Sequence, residues 1–145
     1  MTKLTCIIAG GRDFNNYEAL KEAIKKSKFD IGEVVSGGAK GADALGERWA
    51  KENSISLKIM KADWDDISSP FAIIAYKKDW NGNNTPYNKA AGFIRNEDMA
   101  RYALKSGNGA CILMPGGNGT ANMLKFAKEY KLEIFIYNEL KKGNT

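Results

Sequence analysis

Residues 4–13 read LTCIIAGGRD, and the class of fold follows from this stretch. Its first six residues form an apolar, β-branched run without polar alternation, which predicts a strand over residues 4–9 that is buried on both faces. A glycine pair ends the strand. An asparagine, Asn15 or Asn16, can then cap a helix over residues 17–27, where apolar side chains recur at helical spacing.

The same alternation of short apolar runs and amphipathic stretches continues along the chain. Strands that alternate with helices of ten or more residues predict βαβ units, and hence a Rossmann-like α/β domain over residues 1–140. We expect a parallel sheet of about five strands, helices on both faces and a polar tail at 141–145. Further strands are predicted at 33–36, 57–62, 109–114 and 132–137, and further helices at 41–53, 90–104 and 118–130.

One long segment, residues 63–90, interrupts this pattern and is predicted to be an inserted loop. Loops of this length are often functional when ordered. Within it, residues 71–76 are compatible with either an extra strand or a short helix. In the helix that follows, Phe93 and Leu104 are predicted on the buried side, and Asn96 shares that side and needs a polar partner.

Composition excludes several kinds of chemistry. The 145 residues contain no histidine, which rules out a Ser-His-Asp triad, a Cys-His dyad and any histidine metal ligand. Cys6 and Cys111 lie in apolar runs and no CxxC occurs, so we expect buried thiols in a reducing compartment. The aspartates at 63, 65 and 66 resemble a metal cluster only loosely. We expect no metal site and no cofactor.

Charge and hydropathy bear on location and partners. No apolar run approaches the ~18 residues of a membrane span, and the N-terminus lacks a signal-peptide core. We therefore expect a cytoplasmic protein that does not contact membranes. The net charge of +5 favours anionic partners. The lysines are scattered without interleaved aromatic residues, so we do not expect nucleic-acid binding.

Three glycine-rich turns each follow a predicted strand, at residues 10–13, 36–43 and 115–120. In a parallel sheet all three lie at the carboxyl edge, where open α/β folds bind ligands. Glycine lets backbone N–H groups approach a phosphate, and the helix N-termini that follow favour an anion. The plain alternative is three tight βα turns. Neither Walker A nor GxGxxG is present, which argues against an ordinary ATPase or GTPase.

Several polar residues in or near these turns have two interpretations. Arg12 and Arg95 can hold phosphate, or make surface salt bridges. Asp43 can bond a ribose hydroxyl or act as an acid, or it can simply be an acidic residue in the first turn of a helix, where the helix dipole stabilises it. Asn96 would also contact the ribose or the base. Thr120 can donate to a phosphate or cap a helix. Three aromatic residues can stack on a base or pack the loop: Trp64, Trp80 and Tyr87.

Five motifs now occur in order: GGRDF at 10–14, SGGAKGAD at 36–43, ADW at 62–64, AGFIRN at 91–96 and PGGNGT at 115–120. Together they resemble the YspA-related branch of the SLOG superfamily, which also includes the LOG phosphoribohydrolases and DprA. The resemblance implies strand order 3-2-1-4-5 and glycine loops that hold a nucleotide or nucleotide-derived ligand. The ligand-binding residues it implies are Gly11, Arg12, Ser36, Gly37, Gly38, Gly41, Asp43, Arg95, Asn96, Gly116, Gly117, Gly119 and Thr120.

The function that the resemblance implies is limited by one departure. In LOG enzymes PGGxGT continues with a catalytic glutamate, where this chain has Met123. The first hypothesis is therefore a binding protein that senses or sequesters an ADP-ribose-like or cyclic nucleotide signal, in a phage as a counter to host defence. The alternatives are an N-glycosidic hydrolase that uses another carboxylate, with Asp43 the candidate, and single-stranded DNA binding as in DprA. Dimerisation among SLOG relatives suggests a homodimer.

Overall fold

The computed structural model describes residues 3–137, and the predicted polar tail lies outside this range. Strands and helices alternate along it, apart from one hairpin. The elements are β1 (Leu4–Ala9), α1 (Tyr17–Ser27), β2 (Ile31–Ser36), α2 (Ala42–Glu52), β3 (Ser56–Ile59), β4 (Ile74–Lys78), β5 (Asn84–Asn88), α3 (Ala91–Lys105), β6 (Gly109–Leu113), α4 (Asn118–Glu129) and β7 (Glu133–Ile136).

Five strands form a parallel sheet in the order β3-β2-β1-β6-β7. Without the two hairpin strands, this is the predicted order 3-2-1-4-5, so the fold prediction is confirmed. Strand β1 is central because Ile7 pairs with Val35 on one side and Cys111 on the other. Its residues Cys6, Ile7 and Ile8 are fully buried, which explains the unbroken apolar run in the sequence.

The sheet separates two hydrophobic cores, because successive β1 side chains point to opposite faces. Cys6 and Ile8 pack with residues of α1 and α2, whereas Ile7 packs with Met99 of α3 and Met123 of α4. Helices therefore cover both faces, as predicted. Both cysteines are buried and free. No helix within residues 3–137 is long and apolar enough to cross a bilayer.

One prediction about the helices is confirmed and another is wrong. Asn16 caps α1, since its side-chain oxygen accepts a hydrogen bond from the Ala19 N–H at 3.0 Å. Phe93 and Leu104, predicted on the buried side of α3, are 48% and 47% exposed, so that prediction is wrong. The packed stripe of α3 runs through its small residues and Met99, and Leu104 lies about 100° further round the helix than buried Ala103.

The inserted segment contains an antiparallel hairpin, β4–β5, that forms a sheet of its own. Of the two alternatives for residues 71–76, the strand is the observed one, and it begins at Ile74. The hairpin is anchored at its base by buried Asn88, whose Oδ1 accepts from the N–H groups of Ile73 and Ala90 at 3.1 and 3.0 Å. The base of the hairpin is therefore fixed beside the first residues of α3.

Candidate functional site

A cavity of about 280 Å³ opens at the carboxyl edge of the sheet. It lies beyond the ends of β1 and β6, the neighbouring strands at which the strand order changes direction, and this is where open α/β folds bind ligands. Its walls come from the turn after β1, the start of α2, the inserted segment and the first turns of α3 and α4. All three glycine turns are thus at one edge, as parallel strands require.

The turns after β1, β2 and β6 are packed directly against one another. The Gly11 N–H donates to the Pro115 carbonyl at 2.8 Å, and the Gly11 carbonyl accepts from the Ala42 N–H at 3.1 Å. Gly41 precedes α2 with φ at 76°, and a Cβ there would overlap the Gly11 carbonyl oxygen. A Cβ at Gly116 would lie 2.6 Å from the Gly11 nitrogen. Glycine is needed here so that the backbones can meet.

Gly117 and Gly119 are glycines of a different kind. A Cβ at either would meet no atom within 4 Å, and neither has a positive φ. Both line the cavity at the start of α4, a helix whose N-cap has no side-chain hydrogen bond. The helix N-terminus is therefore open, and its N–H groups and partial positive charge face space that an anion can fill. Thr120 also lines this wall and does not cap the helix.

Arg95 is held firmly beside the cavity. Its Nη1 donates to the Gly37 carbonyl at 2.6 Å and its Nε donates to Asn96 Oδ1 at 3.1 Å. A Cβ on Gly37 would lie 2.7 Å from the Arg95 Cζ, so this glycine makes room for the guanidinium. Burial lowers the pKa of Arg95, Asp43 opposes that change, and the charge of Arg12 adds to it. Arg12 itself is exposed and forms no ion pair within residues 3–137.

Asp43 is a buried carboxyl on the same wall. Its Oδ2 accepts a hydrogen bond from the Ala39 N–H at 3.2 Å. Burial raises the pKa of Asp43, although the Ala39 bond and Arg95 oppose the shift. Among the described residues that line the cavity, two are arginines and one, Asp43, is acidic, so the formal charge of the lining is positive. Asp43 is also the carboxyl best placed to exchange a proton with a ligand.

Asn96 is buried, and its amide links the two sides of the cavity. Its oxygen accepts from Arg95, and its nitrogen donates to the Gly119 carbonyl at 3.2 Å and to Asn122 Oδ1 at 2.9 Å. The polar partner expected from the sequence is therefore present. Since both amide hydrogens and the oxygen already bond protein atoms, Asn96 positions Arg95 and the α4 turn.

The structure separates the predicted site residues into two groups. Those that line the cavity are Gly11, Arg12, Asp43, Arg95, Asn96, Gly117, Gly119 and Thr120. Those that do not line it are Ser36, Gly37, Gly38, Gly41 and Gly116. Ser36 is an example, because its buried hydroxyl donates to Glu47 Oε2 at 2.7 Å and accepts from the Gly38 N–H at 3.1 Å. In the described structure these residues shape the turns beside the cavity.

Sequence reasoning missed the apolar part of the cavity. Trp64 was only one of three aromatic candidates, Phe93 was placed on the buried side of its helix, and Met123 was named only as the residue at the LOG glutamate position. A signal was present in the motifs ADW and AGFIRN, which contain lining residues besides the arginine and asparagine. The lining residues outside the predicted set are Ala9, Gly10, Ala39, Trp64, Gly92, Phe93, Met99 and Met123.

Acidic side chains in the inserted segment stabilise turns by accepting hydrogen bonds from nearby residues. Asp63 Oδ1 accepts from the Asp65 N–H at 3.2 Å, and Asp66 Oδ1 accepts from the Ser68 N–H at 3.2 Å. Between residues 3 and 137 no group of three or more His, Cys, Asp or Glu side chains is arranged to hold a metal ion. These hydrogen bonds are local in sequence, as is the one that Asp66 Oδ1 accepts from the Ser68 hydroxyl at 3.1 Å.

The chain is similar in sequence and in structure to known proteins. Residues 5–66 match the YspA, cpYpsA-related SLOG family, which confirms the resemblance drawn from the motifs. The Gene 61 protein of Mycobacterium phage D29 is 25% identical over 144 residues, covering 92% of this chain and 95% of that protein. The X-ray structure of DNA processing protein A (DprA) from Streptococcus pneumoniae is 16% identical with a TM-score of 0.46, covering 91% of this chain and 58% of that one.

Proposed function

We propose that this chain, whose residues 5–66 belong to the YspA-related SLOG family, binds a nucleotide or nucleotide-derived small molecule at the carboxyl edge of its sheet. The observation that carries the proposal is the wall formed by Arg12, Arg95 and the open start of α4 around one cavity. A phosphate there would accept hydrogen bonds from two guanidinium groups and from backbone N–H groups. Family membership fits such a nucleotide-related role.

The glycine at position 119, at the start of α4, supports the proposed binding of a ligand. Glycine at 119 has no packing or positive-φ reason in the folded chain, because a methyl group there would meet nothing. The space it leaves lies next to N–H groups that lack a side-chain cap. A ligand that approaches the backbone closely is a physical reason for this glycine.

The size and lining of the cavity bear on the ligand class. Its volume of about 280 Å³ is close to the lower end of the roughly 300–1,000 Å³ found for small-molecule sites. That size favours one nucleotide unit inside the cavity, with any second unit at its open mouth. Besides the charged residues, Phe93, Met99 and Met123 line the cavity and supply apolar surface. A ligand with one anionic and one apolar part complements this mixed lining.

Retention of the ligand is the role that this lining favours. Met123 occupies the position of the LOG glutamate, faces the cavity, and can neither move a proton nor stabilise a cation. We therefore propose a sensor or sequestering protein in the cytoplasm. The relative in Mycobacterium phage D29 supports a phage version of this role, in which the protein removes a nucleotide-derived defence signal of the host, ADP-ribose-like or cyclic.

A homodimer is part of the proposal. Phe71 and Trp80 are 74% and 93% exposed in the inserted segment, which is unusual for side chains of this kind in a monomer. Trp49 and Tyr102 are by contrast half-buried, and the Tyr102 hydroxyl donates a hydrogen bond to Glu33. The hairpin is therefore the better candidate surface. Analytical ultracentrifugation of the wild type and of Trp80→Ala tests it, and a monomeric wild type would contradict it.

Native mass spectrometry tests the binding proposal. We expect one intact ligand per subunit, either co-purified and released by heat or bound from a panel of NAD, ADP-ribose, AMP and cyclic nucleotides. Arg12→Ala should lose binding, whereas Arg48→Ala, which alters an exposed arginine paired with Glu52, should retain it. Absence of any co-purified ligand together with no binding from the panel would contradict the proposal.

Asp43 supports a second candidate function, cleavage of an N-glycosidic bond. A carboxyl whose pKa is raised by burial and which lines the cavity is suited to protonate a leaving base. The prediction is that free base and sugar phosphate accumulate during incubation, and that Asp43→Asn stops their formation while binding persists. Chromatography that finds only intact nucleotide after long incubation would contradict this second function, so that binding would be the one proposed role left.

A further inference from the structure

Two aromatic side chains in the cavity lack a role in the hydrophobic core. Trp64 and Phe93 both line the cavity, and they remain 39% and 48% exposed. Within the described residues, neither belongs to the two clusters that pack against the sheet. Large aromatic rings that are left partly open to water at a cavity wall still have apolar surface to bury.

The backbone holds Trp64 in place. Its carbonyl accepts a hydrogen bond from the Asn88 N–H at 2.6 Å, and the Asp63 carbonyl accepts from the Asp66 N–H at 3.2 Å in the turn around it. The Asn88 side chain in turn bonds the N–H of Ala90, just before α3. The indole is therefore presented from a braced turn, and the entropy cost of ordering it on binding is small.

Gly92 sets the distance between Trp64 and helix α3. A Cβ at this position would lie 3.3 Å from the Trp64 Cη2, tighter than an ordinary contact. The absence of a side chain lets the edge of the indole reach the first turn of α3, where Phe93 follows. Both rings line the cavity that Met99, Arg12 and Arg95 also line.

We infer that Trp64 and Phe93 form the subsite for the nucleobase of the ligand, with the base bound against these rings by stacking. This inference rests on the proposed function and adds to it the part of the ligand that must be aromatic. Every base offers a flat π-face to such rings. Methionine sulfur and methyl groups extend the apolar surface without demanding one base. The phosphate then lies at Arg12, Arg95 and the start of α4.

Paired titrations of AMP and ribose 5-phosphate, which differ by the base alone, test the inference. Trp64→Ala and Phe93→Ala should each weaken AMP binding by about fivefold to a hundredfold, because stacking contributes that much per base. Their affinity for ribose 5-phosphate should change less than about twofold. Trp64→Phe should restore much of the AMP affinity. Leu104→Ala, which removes a 47% exposed apolar side chain from the last turn of α3 and outside the cavity lining, is the matched control and should change neither affinity.

Fluorescence gives a second readout if Trp64→Ala proves unstable. Bound AMP should quench the emission of the wild type and of Trp80→Phe, and quench Trp64→Phe much less. Nucleotide binding that survives both alanine substitutions unchanged, or falls equally for AMP and ribose 5-phosphate, would overturn the inference and leave the proposed function standing. If the wild type binds neither AMP nor any other nucleotide of the panel, the proposed function and the inference both fail.

Discussion

Gly41 and Gly119 lie at the starts of two helices on the same edge of the sheet, and the fold needs only one of them. Gly41 has a left-handed φ of 76°, and a side chain there would overlap the backbone of the turn after β1. Gly119 has neither constraint and borders the cavity. Similar glycine-rich sequences thus serve two purposes. In one turn glycine lets backbones pack, and in the other it leaves open space beside the cavity.

The largest expected effect is on Gly41. Gly41→Ala should lower the free energy of unfolding by about 2–5 kcal/mol, combining the left-handed φ with the overlap at Gly11. Gly107→Ala is the matched control, because Gly107 has φ at 85° but open space around it, so it should lose only about 1–2 kcal/mol. Urea denaturation measures both. Equal losses would show that the turns do not pack as described.

Replacing Asn96 should have the next largest effect, because its side chain connects Arg95 to the turn at the start of α4. Asn96→Ala leaves the Gly119 carbonyl and Asn122 without their partner, which should destabilise the chain by about 1–3 kcal/mol. It should also weaken nucleotide binding, because Arg95 Nε loses its acceptor. Asn122→Ala breaks only one of these bonds and should affect stability less. Thermal unfolding that ranks the two variants in the reverse order would contradict this role.

Gly119→Ala should separate binding from stability. Stability should stay unchanged or rise by up to about 1 kcal/mol, because alanine favours a helix more than glycine does. Nucleotide affinity should fall about tenfold or more, since the methyl group would occupy the space beside the α4 N–H groups. Ala121→Gly, at an exposed position of α4, should give the opposite pattern: slightly lower stability and unchanged affinity. Calorimetry that finds full affinity in Gly119→Ala would remove the ligand reason for this glycine.

The smallest effect concerns the pH dependence of stability. Burial raises the pKa of Asp43 above its ordinary value of 3.8, so just above that pH the folded state binds more protons than the unfolded state. This residue therefore makes stability fall as pH rises through that window. Asp43→Asn should remove the contribution and raise stability above the window relative to below it. Denaturation of both proteins between about pH 4 and pH 6 checks the difference in slope.

Much of the site could be expected before the structure, and the omissions have a common cause. Arg12 and Asp43 belong to polar turns that follow strands, so the sheet direction alone brings them to one edge, whereas Arg95 was named from the AGFIRN motif at the start of a helix. Phe93 was placed in the core because apolar residues at helical spacing usually pack inward. It faces the cavity because α3 starts at the sheet edge and its first turn extends beyond the packed layer.

The sequence by itself determined the parallel sheet and the edge at which its glycine turns lie. Those two features follow from local signals, namely buried apolar runs, amphipathic stretches and turns at strand ends, whereas the strand order was implied by the motif resemblance. Tertiary structure alone decided which glycines touch backbone and which face open space, and it brought Trp64 against Gly92 from the inserted segment. These contacts depend on how loops distant in the chain pack together. A difference of one methyl group there changes the outcome, and no local pattern encodes it.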